Sequence, residues 1–95
     1  MVEDDGDPHR ARTARRVLEQ LFRWWPAPRD VDADALGLEG ADRDSALLAA
    51  METLCDAGLV MYEAVVVRAG VPCFRDAVIT PSGCAALRAM QRDSS

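Results

Sequence analysis

The chain has no lysine, only one histidine (His9), and no Cys-x-x-Cys spacing among Cys55, Cys73 and Cys84. A Cys/His zinc site is therefore not expected, and three unpaired cysteines suit a reducing, cytoplasmic setting, where they would serve as small buried hydrophobes. No apolar run approaches the ~20 residues needed to cross a bilayer. The opening Met1-Val2-Glu3-Asp4-Asp5-Gly6-Asp7 is acidic where a secretory signal is basic and then apolar. Glycine-rich phosphate loops, paired strand-end carboxylates and a nucleophile with a base are all missing, so the sequence predicts no enzyme and no cofactor. The acids Asp30, Asp32, Asp34, Glu39, Asp42 and Asp44 lack the calcium-loop spacing and its terminal glutamate, so no metal is expected either.

What is present is one domain's worth of chain: 95 residues, 49% hydrophobic, with a net charge of −5. That charge is unevenly placed. Residues 1–7 carry acids only. Residues 8–29 hold Arg10, Arg12, Arg15, Arg16, Arg23 and Arg29 against Glu19, and residues 30–44 hold the acids named above against Arg43. The balance does not suit a non-specific nucleic-acid binder, but it allows a local basic face.

Residues 1–8 read as an acidic disordered tail, residues 9–91 as the folded domain, and residues 92–95 as a frayed end. Ala14, Val17, Leu18, Leu21, Phe22, Trp24 and Trp25 recur at helical spacing, and Pro26 and Pro28 end that helix. Trp25 extends the inward stripe, while Trp24 lies at its edge. Asp32 caps a short second helix that leaves through Gly37. Asp42-Arg43-Asp44-Ser45 opens a third helix, with Leu47, Ala50, Met51 and Leu54 inward, closed by Ala57-Gly58. Leu59 to Val67 reads as a strand and Cys73 to Ile79 as its return. The intervening Arg68-Ala69-Gly70-Val71-Pro72 is expected to form a longer loop, because Pro72 has no N–H to close a tight hairpin. Thr80-Pro81 starts a last helix, with Ala86, Leu87 and Met90 inward.

Two local patterns carry a resemblance. Ser45 to Val60, ending Leu54-Cys55-Asp56-Ala57-Gly58-Leu59-Val60, resembles the recognition helix of the winged helix-turn-helix superfamily running into its Leu-x-x-Ala-Gly-Leu-Val corner. Ile79-Thr80-Pro81-Ser82-Gly83-Cys84-Ala85-Ala86-Leu87 is similar to the Leu-Thr-x-x-Gly-x-x-x-Leu that closes the family's wing. The resemblance covers residues 9–91 and implies an α+β fold: three helices, a two-stranded wing and a C-terminal helix. It also implies a small bacterial or phage transcriptional regulator bound to double-stranded DNA through Arg43, Ser45, Ala46, Ala49 and Thr53 of the recognition helix, with Arg68 and Arg75 at the wing. A homodimer or partner interface would use Val17, Leu21 and Trp24 of the first helix.

One departure matters. Ser45, Ala46, Ala49 and Thr53 are flanked by Asp42, Asp44 and Glu52. Small side chains meet thymine methyl groups but cannot fork onto guanine, and carboxylates repel phosphates. The alternative expectation is therefore a protein–protein interaction module, or an acidic inhibitor, built on the same fold.

Overall fold

A computed structural model describes residues 8–94. Its order is α1 (Pro8–Trp24), β1 (Arg29–Val31), α2 (Arg43–Asp56), β2 (Val60–Met61), β3 (Ala64–Arg68), β4 (Val71–Ile79) and α3 (Pro81–Ser94). The chain is thus mixed α+β. Of the tail assigned to residues 1–8, all but Pro8 lies outside the described residues, as does Ser95.

The helices form where the apolar spacing requires them. α1 buries Val17, Leu18 and Leu21, and α2 buries Leu47, Ala50, Met51 and Leu54. α3 adds Cys84 and Leu87 to the same core. The sheet supplies the other layer, with Val31 from β1, Val60 from β2, and Phe74, Ala77 and Ile79 from β4.

β4 is the central strand. β1 pairs with it antiparallel on one side, and β2 and β3 pair with it in succession on the other. The expected strand over residues 59–67 is therefore two short ones. Both keep one register, since Met61 faces Val78 and Ala64 faces Arg75. The break falls at Tyr62-Glu63, opposite Asp76, which has a left-handed φ of 55°. On the other side the register slips by one residue between Arg29↔Ala77 and Val31↔Phe74. Asp30 holds this irregularity: its Oδ1 accepts the Asp76 N–H at 3.1 Å.

Three further expectations are corrected. The short second helix is a turn over residues 33–37, held by Asp32 Oδ1 accepting the Ala35 N–H at 2.8 Å, and Gly37 leaves it at φ 69°. The described residues therefore contain three helices, two of them before the hairpin, where the sequence suggested four with three before it. The loop around Pro72 is a tight two-residue turn, Ala69-Gly70, with φ values of 52° and 79°. Both signs suit the primed turn that matches strand twist. The closing pair Arg68↔Val71 uses both its N–H groups, so by alternation Pro72 opposite Val67 sits where no bond to β3 is needed. Trp25 is 46% exposed rather than core, because α1 ends at Trp24 and the chain turns away.

The junction into α3 follows the sequence closely. Thr80 Oγ1 accepts the Gly83 N–H at 3.0 Å and donates to the Gly58 carbonyl at 2.7 Å. One hydroxyl thus caps α3 and ties it to the turn that ends α2.

Candidate recognition face

α2 is held by its buried stripe, which leaves Ser45, Leu48, Glu52, Thr53 and Asp56 exposed, with Ala46 and Ala49 half-buried beside them. Of the four uncharged side chains assigned to base contact, Ser45 and Thr53 reach solvent. Ser45 Oγ donates to the Asp42 carbonyl at 3.0 Å. The most exposed large apolar side chain of the helix is Leu48, at 37%, a residue the sequence reading did not single out. Its signal was a leucine off the inward stripe, adjacent to Leu47.

The arginines assigned to this face divide into two kinds. Arg43 donates to the Leu38 carbonyl at 3.2 Å and pairs with Asp34 at 2.8 Å, so it clamps the 33–38 segment onto α2. Arg75 lies 3.8 Å from Asp30 across the β1–β4 pair. Arg68 is exposed at the end of β3 and forms no ion pair among the described residues.

A second basic surface lies elsewhere. Arg12, Arg15 and Arg16 of α1 meet Arg43 around a cleft of about 440 Å³, floored by Gly37, Leu38 and Ala46 and tempered by Glu19 and Glu39. Arg16 donates to the Leu36 carbonyl at 3.1 Å, and Arg15 pairs with Glu19 at 3.1 Å. Much of this positive charge therefore serves to fasten the turn and the helix surface. A smaller groove of about 350 Å³ sets Asp30, Asp32 and Asp34 beside Arg68 and Arg75 over Val66, Val71 and Cys73.

Tyr62 joins α2 to the hairpin. Its ring meets Phe74 edge-on at 4.9 Å. Burial, followed by the charges of Cys55, Glu52 and Asp56, pushes its hydroxyl pKa up.

The side chains assigned to an interface are placed differently from that reading. Val17 and Leu21 are fully enclosed in the core and are closed to any partner. Trp24 is half-buried against the core, and the Arg29 guanidinium lies 5.3 Å above its ring. The cysteines span the range: Cys84 is buried, Cys73 is half-buried, and Cys55 is exposed, not the buried hydrophobe expected. Among the described residues no three His, Cys, Asp or Glu side chains gather as a metal site, and no helix is long and apolar enough to cross a membrane. Comparison with protein-family models, curated proteins and solved structures finds no match for this chain.

Proposed function

We propose that the chain is a non-enzymatic domain of winged-helix type whose helix-and-hairpin face binds a protein. The winged-helix assignment is supported by β4 lying between β1 and β3, with α2 turning through Gly58 into the hairpin and α3 closing it, although two helices precede the hairpin where the resemblance implies three. The observation that carries the protein reading is the exposed side of α2, where Leu48 stands with Glu52 and Asp56 while Arg43 is engaged by Asp34. An apolar centre with an acidic rim suits a protein surface that offers an apolar pocket and basic residues; a phosphate backbone would be repelled.

The second reading keeps duplex DNA as the ligand of a small transcriptional regulator, and unpaired Arg68 together with the arginine-lined cleft favours it. Fluorescence anisotropy with a mixed-sequence duplex at about 50 mM salt separates the two, because electrostatic association is strong there. The protein reading expects no binding at that salt. It also expects Leu48→Asp to abolish capture of a partner from extracts of the source cell, with Arg68→Ala leaving capture intact. Duplex binding whose log–log salt slope is roughly −0.9 per neutralised phosphate, and which Arg68→Ala flattens by about one unit, would establish the DNA reading instead.

A further inference from the structure

We propose that two copies of this chain associate through β3, edge to edge and antiparallel about Val66, to form one continuous sheet. β3 is an edge strand: among the described residues it pairs with β4 alone. Natural edges are blunted by brevity, lysine, proline or a bulge. β1, the opposite edge, has three residues and is short in that way. β3 has five, Ala64-Val65-Val66-Val67-Arg68, with an unbroken register against β4 and its single charge at the end.

The free groups are placed for self-pairing. The hairpin closes on Arg68↔Val71, so the inward-bonding positions of β3 alternate back from Arg68, and the N–H and C=O groups of Val65 and Val67 point away from β4. Pro72 opposite Val67 agrees with this parity, since it has no N–H to offer there. An antiparallel second copy centred on Val66 sets Val65 against the partner's Val67, and Val67 against the partner's Val65. Each of these two pairs exchanges both its hydrogen bonds, using the groups left free. The same pairs bring together the two most exposed valines of the strand, at 41% and 65%.

Charge at the strand ends favours the antiparallel direction. One end of the strand carries Glu63 and, across from it on β4, Asp76; the other end carries Arg68, which forms no ion pair among the described residues although Asp30, Asp32 and Asp34 line the groove beside it. An antiparallel copy lays each Arg68 near the partner's Glu63 and Asp76, whereas a parallel one would set Glu63 beside Glu63 and Arg68 beside Arg68. A two-fold contact of this kind is self-complementary and closed, so it stops at a dimer. It is independent of the face of α2 invoked above, and either proposal can fail alone.

The test uses the whole chain. Sedimentation or light scattering across concentration should show the mass doubling. Amide hydrogen exchange should show Val65 and Val67 gaining protection with that doubling, while Val66, already bonded to β4, changes little. Val65→Pro should keep the monomer fold, because the lost N–H faces solvent and proline is tolerated at such edge positions, yet it should remove the dimer. Val67→Lys, a charge on the edge, should do the same without altering the backbone and covers the case in which the proline variant misfolds. A wild-type monomer at millimolar concentration would overturn the proposal. So would a dimer that both variants preserve, or one whose formation leaves the Val65 and Val67 amides unprotected; a heterologous strand captured in place of the second copy would overturn it as well.

Discussion

Gly58 and Gly83 show how one residue type meets two different physical demands. Gly58 has a φ of 76° and open space where a Cβ would stand, so only its backbone angle resists substitution. Gly83 has no such angle, but a Cβ there would land on the Leu59 carbonyl oxygen and 2.6 Å from Ile79 Cγ1. Gly58→Ala should therefore cost on the order of 1–2 kcal/mol, the left-handed penalty of an L-residue. Gly83→Ala should cost more, roughly 2–3 kcal/mol, because a carbonyl in a paired junction cannot step aside as a flexible side chain would. Gly58→Asn should recover part of the Gly58 loss, since asparagine tolerates that region, whereas no residue with a Cβ should rescue position 83. Thermal melts of the three variants check the ordering; equal losses at the two glycines would mean that the α2–β2 corner and the start of α3 do not meet as described.

At the scale of elements, what the sequence made legible was what local chemistry specifies. The three- and four-residue spacing of Val17, Leu18 and Leu21 and of Leu47, Met51 and Leu54 was enough to place α1 and α2, and Thr80-Pro81 marked the start of α3. Two of the misread elements depend on partners distant in the chain. β1 is only Arg29-Asp30-Val31, with no alternation to notice; it exists because Val31 finds Phe74. The break between β2 and β3 falls opposite Asp76 of β4, whose left-handed φ nothing within residues 59–67 announces. Of the candidate face, the position of Arg43 at the start of α2 and the flanking Glu52 were legible, but Leu48 was not, and neither was engagement, because spacing does not reveal that Arg43 is held by Asp34 and the Leu38 carbonyl. The segment from Asp32 to Leu38 shows what those contacts do. It has two buried side chains, Ala33 and Leu36, no helix, and two arginines reaching its carbonyls from α1 and α2. Arg43→Ala should lower stability by about 1 kcal/mol, the usual net worth of one such hydrogen bond, since the partly exposed ion pair adds little. Hydrogen exchange should quicken at the Leu36 and Leu38 amides, leaving α3 unaffected. Uniform quickening across the domain would show instead that the segment does not open as a separate unit.

For the molecule as a whole, the dominant electrostatic fact is an excess of carboxylates, and one pair of them gives that excess a direction in pH. Glu63 and Asp76 face each other where β2 gives way to β3 and β4 bulges. The hydrogen bond from the Glu63 carboxyl to Asp76, reinforced by the Asp76 charge and opposed by Arg75, raises the Glu63 pKa above its ordinary value of 4.5. A folded-state pKa above the unfolded one means that the native chain binds this proton more tightly. The resulting stabilisation is fully present below the ordinary glutamate value and is lost as pH rises through the raised one. The net charge of −5 acts in the same sense, because deprotonation adds to a charge that already repels itself. The melting temperature should therefore fall as pH climbs from about 4.5 towards neutrality. Glu63→Gln keeps a donor for Asp76 at every pH and removes one negative charge, so its profile should be flatter over that interval and lie above the wild type at neutral pH. Added salt should shrink the gap between the two proteins at neutral pH, since the pair is exposed and its repulsion is screened. Parallel profiles for wild type and variant would show that the two carboxyls do not share a proton and that the observed slope belongs to the overall charge alone.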